Sequence, residues 1–432
     1  MFYFRSGDRL VQKSFFLSAG IALFVRVMGA VASFLATFFV ARFLGVDESG
    51  YYFMMIALVT ILVAAGGVGL EDASVKLAGI NRGLAWSYYK KVMLVASFGG
   101  GVVSLLLFFS AEIISDRFFS KPNMAAVFKA VSPGVFFQVL YTITAFCLQG
   151  LRKASESILV LMIMINVMVV LAVITGVASS ASELALCYSF SSVVIFALGF
   201  VIVWRHCFNS REGEFPWPRI FNSCIPLWPV MFMTQVQIWS GQFLAGVYLD
   251  VGELSRLSIA YRLAMLTSFM LTAVNLVVGP RFSRLWEDGD KEGLVALSNK
   301  ALGFIVIFSS PLILGMLLFP RVLMGFFGEE FVSGSIYLQI LAVGQFFNAA
   351  TGAVGYLLIM SGNERALRNI TLLVGGVGFF SLWGLTAMYG ALGNALGGAI
   401  VVALSNVIAV FSVNKLLGFN PVNLRFFQFA RR

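Results

Sequence analysis

Two arginines stand inside long apolar stretches of this 432-residue chain, Arg26 and Arg262. A charge at the centre of a bilayer costs about 2.5–3.5 kcal/mol on insertion scales, so it faces a cavity or a partner. The guanidinium fork pairs bidentately with phosphate oxygens. None of the 20 Asp and Glu residues falls near the middle of an apolar stretch. The chemistry on offer is the holding of an anion, and it suits a cationic ligand poorly. Two roles stay open for Arg262, which lies near one end of its stretch: cavity lining, or snorkelling to the interface.

The neighbours of these arginines carry the next signal. On a helical wheel Ala19, Ala22, Ala30, Ser33 and Thr37 lie within about 40° of Arg26, while Phe24, Val27, Val31, Phe34 and Phe38 occupy the other faces. A stripe of small residues also suits close helix–helix contact, but such a contact has no natural place for an arginine. Trp228, Gln235, Trp239, Gln242 and Gly246 form a second stripe. Indole rings stack on sugar faces and carboxamides bond hydroxyls, so this face could meet a carbohydrate. Trp228 alone fits equally well in an interfacial aromatic belt. Gln138, Thr142, Ala145 and Gln149 align in the same way, whereas Lys129 points to the opposite face and reads as an anchor.

Composition decides what carries these residues. Hydrophobic residues make up 59% of the chain and charged residues 12%, against about 25% charge in a globular protein. That excludes a large water-exposed catalytic domain and predicts an all-α integral membrane protein. Apolar length gives twelve spans, at approximately 15–41, 51–70, 91–111, 125–148, 157–178, 184–204, 225–249, 257–279, 300–319, 335–360, 368–389 and 391–417. Most of the 30 Lys and Arg residues fall on one side of these spans, which puts both termini in the cytoplasm. Their scatter at span ends also argues against nucleic acid as a partner, despite the net charge of +10. The segment Arg205 to Cys224, with two prolines that break a helix, divides the chain. The predicted organisation is a six-helix bundle over 1–204, a cytoplasmic linker over 205–224, and a six-helix bundle with a short basic tail over 225–432. Each half ends with a glycine bend into its last span, at Gly176 and Gly390. Such paired bundles enclose a central cavity of alternating access. The four cysteines (Cys147, Cys187, Cys207, Cys224) and the single His206 have no metal-binding spacing.

Several segments resemble the polysaccharide-transport branch of the multidrug/oligosaccharidyl-lipid/polysaccharide exporter superfamily, typified by O-antigen flippases. They are VRVMGAVASFLATFFVARFLGVDESGYY (25–52), GGVGLEDASVKLAG (66–79), LSIAYRLAML (257–266), VVGPRFSRLWEDGDKEGL (277–294), FFGEEFVSGSIYLQILAVGQFFNAATGAVGYLLIMSGNER (326–365) and YGALGNALGGAI (389–400). The resemblance implies two six-helix bundles forming a V around a central cationic cavity. It implies a substrate of undecaprenyl-pyrophosphate-linked oligosaccharide, moved across the bacterial inner membrane. Membrane lipid, a polysaccharide polymerase and a chain-length regulator are the implied partners. No cofactor is implied beyond a coupling ion, proton or sodium. Related lipid II flippases use cavity arginines on helices 1, 2 and 8. Arg26 and Arg262 match the first and last, while Tyr51, Tyr52 and Phe53 occupy the outer end of span 2. Many members place an Asp in the middle of helix 7, where this chain has Ser240 and Gly241.

The expected function is therefore translocation of O-antigen or related polysaccharide repeat units, without enzymatic chemistry. Arg26 and Arg262 would hold the pyrophosphate. Trp239, Gln235, Gln242, Ser33, Thr37, Gln138 and Thr142 would line the sugar path. A multidrug or cation antiporter of the same superfamily would want a buried carboxylate. A polytopic polysaccharide polymerase would want a large periplasmic loop, and the longest outer segment here is short.

Overall fold

A computed structural model describes residues 6–80, 82–207 and 213–422. The N-terminal Arg5 and the basic tail with Arg425, Arg431 and Arg432 lie outside the described residues. The chain is a succession of helices: α1 (Ser6–Gly66), α2 (Leu70–Ala78), α3 (Ala85–Ile113), α4 (Met124–Gly150), α5 (Ala154–Ile158), α6 (Met164–Ile174) and α7 (Ala181–Cys207). There follow α8 (Trp217–Cys224), α9 (Trp228–Tyr248), α10 (Val251–Glu287), α11 (Lys291–Leu318), α12 (Pro320–Gly325), α13 (Ser335–Thr351), α14 (Val354–Met360) and α15 (Glu364–Leu417). Among the described residues eight helices are long and apolar enough to cross a membrane, or nine if the bent pair around Gly352 is one span. The two longest, α1 and α15, are each broken inside by a glycine: Gly45 at φ 80° and Gly390 at φ 59°. Only glycine enters that region without a Cβ penalty, so one helix continues as two arms of different direction.

The prolines of the 205–224 segment act differently from the expectation that they forbid a helix. They start one: α8 opens with Pro216 at its N-cap and Pro218 in its first turn. There the missing N–H costs nothing, because it has no intrahelical acceptor.

The helices form two compact units, Met1–Leu44 with Leu58–Phe232, and Gly45–Ala57 with Met233–Arg432. The first arm-to-arm break at Gly45 thus marks a change of unit. The segment just after it is contributed to the second unit although it lies early in the chain.

In the first unit α4 is the axis, flanked by α3 and α7. Its Val131, Val135, Val139 and Ile143 recur one helical turn apart and are wholly buried. Lipid tails are as apolar as these side chains, so burial alone does not hold α4 in place; close packing and interhelical hydrogen bonds do. Tyr89 Oη and Thr144 Oγ1 lie 3.0 Å apart, and Tyr188 Oη donates to Gln138 Oε1 at 2.9 Å. Pro133 interrupts the α4 ladder, and side chains repair it. Ser132 Oγ donates to the Lys129 carbonyl at 3.0 Å, while Ser189 Oγ of α7 accepts from Gly134 N–H and donates to the Ala130 carbonyl. The freed backbone groups are satisfied inside the protein, as a membrane helix requires. Gly66 and Gly99 let α1 and α3 touch backbone to backbone; a Cβ on Gly99 would stand 2.2 Å from the Gly66 carbonyl oxygen.

In the second unit, Phe282 and Leu294 of α10 and α11 pack with Leu357, Leu358, Val374 and Val413 of α14 and α15. Against the opposite part of α10 lies the Gly45–Ala57 arm. Ser49 Oγ and Ser255 Oγ are 2.7 Å apart and buried, and a Cβ on Gly50 would stand 2.3 Å from the Val251 carbonyl oxygen. This arm brings aromatic residues to the beginning of α10, where the second of the two membrane arginines sits.

Candidate functional site

The second unit places Arg262 about three turns inside α10, facing the Gly45–Ala57 arm. Its guanidinium carbon lies 4.6 Å from the centroid of the Phe53 ring, and Phe53 is completely buried. Tyr52, 5% exposed, stands near enough for its hydroxyl to interact electrostatically with the same guanidinium. The arginine itself is half-buried, with Nε and one terminal nitrogen shielded from solvent. A desolvated cation on an aromatic face gains about 2 kcal/mol. The ring offsets part of the burial cost without itself supplying an opposite charge. Tyr52 and Phe53 are therefore more than the residues standing at the end of span 2: they seat the arginine of α10. The Gly45 break is what makes this possible, because it redirects the chain into the second unit within a few residues of Tyr52.

A buried polar cluster stands one residue away along α10. Tyr261 Oη donates to the Asn394 carbonyl and side-chain oxygens at 3.2 and 3.0 Å. Asn394 Nδ2 donates in turn to the Gly241 carbonyl at 2.9 Å and to Thr386 Oγ1 at 3.0 Å. Asn394 is wholly buried, and its carboxamide ties α9, α10 and both arms of α15 together. The hydroxyl of Tyr261 comes so close that a Cβ on Gly398 would stand 2.3 Å from it, and one on Gly241 2.8 Å. Gly241 is thus a structural position of a hydrogen-bonded joint, and Ser240 Oγ beside it donates to the Gln237 carbonyl at 3.1 Å. The joint was missed from the sequence alone, although Asn394 and Gly398 sit inside the glycine-rich segment YGALGNALGGAI.

The residues singled out in the sequence are distributed over both units. Arg26 belongs to the first, and within it is exposed, as are Phe24, Val27 and Met28 beside it. The small face of α1 is engaged at Gly29, whose position is packed on Met162 and Ile163. Further along the predicted stripe, Ser33 is half-buried and Thr37 is 3% exposed; Thr37 Oγ1 donates back to the Ser33 carbonyl at 3.0 Å. Thr142 is buried, and Gln138 accepts from Tyr188, so both take part in packing α4. On α9, Gln235 and Trp239 are half-buried and Gln242 is 7% exposed, with a buried side-chain oxygen that has no hydrogen-bond partner among the described residues. Gly246, at the end of that stripe, lies against Met54 of the Gly45–Ala57 arm. Trp228 is 39% exposed in the first unit. Lys129 pairs with Glu112 at 2.5 Å on an exposed surface.

A third feature lies outside the apolar spans. Glu71 and Asp72 open α2, directly after a turn in which Val68 and Gly69 both have positive φ. The Glu71 carboxyl is half-buried and pushed up to about 7, first by burial and then by the neighbouring Asp72 carboxylate. Burial raises Asp72 as well.

Comparison with known proteins agrees with this architecture. The family described as "Polysaccharide biosynthesis protein" matches residues 39–334, and the chain belongs to that family. Compared by sequence with curated proteins, it matches none. Among solved structures it is similar to the lipid II flippase MurJ in an inward closed conformation, with a TM-score of 0.73 and 16% identity, covering 92% of this chain and 87% of that one. It is also similar to an inward-facing multidrug resistance MATE family transporter of the MOP superfamily, with a TM-score of 0.70 and 12% identity over 93% and 98% of the two chains. A MOP superfamily transporter from Pyrococcus furiosus matches with a TM-score of 0.63 and 12% identity over 93% and 94%. The fold is that of the MOP exporter superfamily, in its polysaccharide-transport branch.

Proposed function

We propose that this protein is a flippase that carries undecaprenyl-pyrophosphate-linked O-antigen or related polysaccharide repeat units from the cytoplasmic to the periplasmic leaflet of the inner membrane. Family membership and the multi-pass architecture support transport of a polysaccharide precursor. The observation that carries the reading further is the Arg262–Phe53 pair: a guanidinium embedded in the second unit on an aromatic ring. A diphosphate brings paired oxygens that match the guanidinium fork. Arg26 supplies a second cation on the first unit. In this reading the protein alternates its access between the two sides of the membrane, the arginines hold the pyrophosphate, the sugars travel in the protein and the polyprenyl tail stays in lipid. Trp239, Gln235 and Gln242 of α9 and Ser33, Thr37, Gln138 and Thr142 of the first unit are the proposed sugar path.

The test is deletion of the gene in its host. Lipid-linked repeat units should accumulate on the cytoplasmic face and surface polysaccharide should disappear, with resistance to cationic dyes unchanged. Normal surface polysaccharide together with new dye sensitivity would overturn the reading in favour of a drug antiporter.

A further inference from the structure

Within the second unit there is a cavity of about 320 Å³ that contains none of the residues discussed as sugar path. From α9 it is lined by Gln237, Ile238, Ser240 and Gly241. On a helical wheel Gln237, Ser240 and Gly241 lie on the side of α9 away from Gln235, Trp239 and Gln242, with Ile238 at the boundary between the two faces. The remaining walls come from α10, α13 and α15, and no lining residue is ionisable in the neutral range.

The hydrogen bonds around the cavity decide which polar atoms remain for a ligand. Gln345 Oε1 is fully engaged: it accepts from Thr267 Oγ1 at 2.9 Å, from Ser268 Oγ at 3.3 Å and from Asn348 Nδ2 at 3.2 Å. Its amide nitrogen, with two donors, is left for the cavity. Asn348 has spent a donor in that bond and offers its side-chain oxygen. Asn406 is committed on both sides, accepting from Thr351 Oγ1 and donating to the Val402 carbonyl. Gln237 lines the cavity with a carboxamide that enters no hydrogen bond among the described residues, and Ser405 adds a hydroxyl. The cavity therefore offers donors and acceptors together, without a net charge, between the apolar walls Leu341, Leu382 and Val401.

Ligand cavities run from about 300 to 1,000 Å³, so this one accepts a single small molecule. A neutral ligand whose groups both donate and accept, and whose carbon skeleton can rest on aliphatic side chains, is a single sugar ring. A cation would meet amide N–H groups as well as oxygens and no compensating carboxylate, and a buried charge without compensation is costly.

We propose that the cavity lined by Gln237, Gln345, Asn348 and Ser405 is a binding site for one uncharged monosaccharide unit, separate from the arginine that holds the phosphate. The proposal rests on the reading of the cargo as sugar-bearing, and it assigns the second unit a carbohydrate specificity pocket of its own. Gln237 is the residue of choice for testing it, because its side chain enters no hydrogen bond among the described residues.

The experiment uses the full-length protein in nanodiscs, with methyl glycosides of glucose, galactose and N-acetylglucosamine as probes. Saturation-transfer NMR and calorimetry should detect at least one of them at millimolar affinity. Gln237→Leu and Asn348→Leu should each weaken it tenfold or more, with unfolding midpoints close to that of the parent protein. Arg262→Ala should leave glycoside binding in place while lowering binding of a short-chain polyprenyl pyrophosphate. Glycoside binding with no pyrophosphate binding would retain the cavity and remove the flippase reading, so the two failures are distinguishable. Absence of binding of all three glycosides, binding unchanged in both leucine variants, or a sodium-binding heat abolished by Gln237→Leu would each overturn the proposal.

Discussion

Removing the ring beneath Arg262 should expose how the membrane arginine is held. Phe53 is wholly buried and its ring centroid is 4.6 Å from the guanidinium carbon. Phe53→Leu loses two kinds of interaction: about 1 kcal/mol or more of packing from the volume removed, and about 2 kcal/mol of cation–π attraction at a desolvated site. Arg262→Met takes away the charge but keeps an unbranched chain over the ring. Replacing a buried charge by an apolar chain of similar length is often neutral or stabilising, so this variant should unfold no earlier than the parent and yet lose transport. In the double variant the ring has no cation to hold, and Phe53→Leu should cost only its packing. The double-mutant cycle, measured by equilibrium unfolding in mixed micelles, should return a coupling of about 1–2 kcal/mol. A coupling below about 0.5 kcal/mol, within the scatter of independent sites, would mean that Phe53 does not seat the arginine. Full transport by Arg262→Met at normal abundance would refute the anion-holding role itself.

Two further outcomes follow from the buried polar groups. Asn394→Leu should lower stability by about 3 kcal/mol, because it leaves the Gly241 carbonyl and Thr386 Oγ1 without their donor and Tyr261 Oη with the backbone carbonyl alone in a buried joint; Tyr261→Phe, which removes one donor, should cost about 1 kcal/mol, and equal midpoints for both variants would contradict the joint. Glu71, pushed up to about 7 from 4.5, favours its protonated form in the folded protein; its contribution is fully present at low pH and is lost as pH rises from about 4.5 through 7. Thermal midpoints should therefore fall between pH 5.5 and pH 8, and Glu71→Gln should flatten that part of the profile, whereas an unchanged profile in the variant would place the titration elsewhere.

Much of the architecture is written in local pattern. Apolar length marks the helices because lipid demands that each backbone satisfy itself, and glycines at Gly176 and Gly390 mark bends because positive φ is a property of single residues. The two membrane arginines stand out for the same reason, since an ionised side chain in an apolar run is anomalous wherever it packs. A wheel drawn through Trp239 and Gln242 identifies a polar face of α9 but not what faces it, and the cavity proves to lie on the other side, at Gln237 and Gly241. That Phe53 belongs under Arg262 is likewise absent from the sequence, because the two are more than 200 positions apart and meet only through the turn at Gly45 and the transfer of Gly45–Ala57 into the second unit. The same holds for Asn394, an unremarked amide until Tyr261, Gly241 and Thr386 surround it. Periodicity specifies the faces of one helix; which faces meet is decided by packing between helices, where close approach at small residues and the pairing of buried polar atoms select one arrangement.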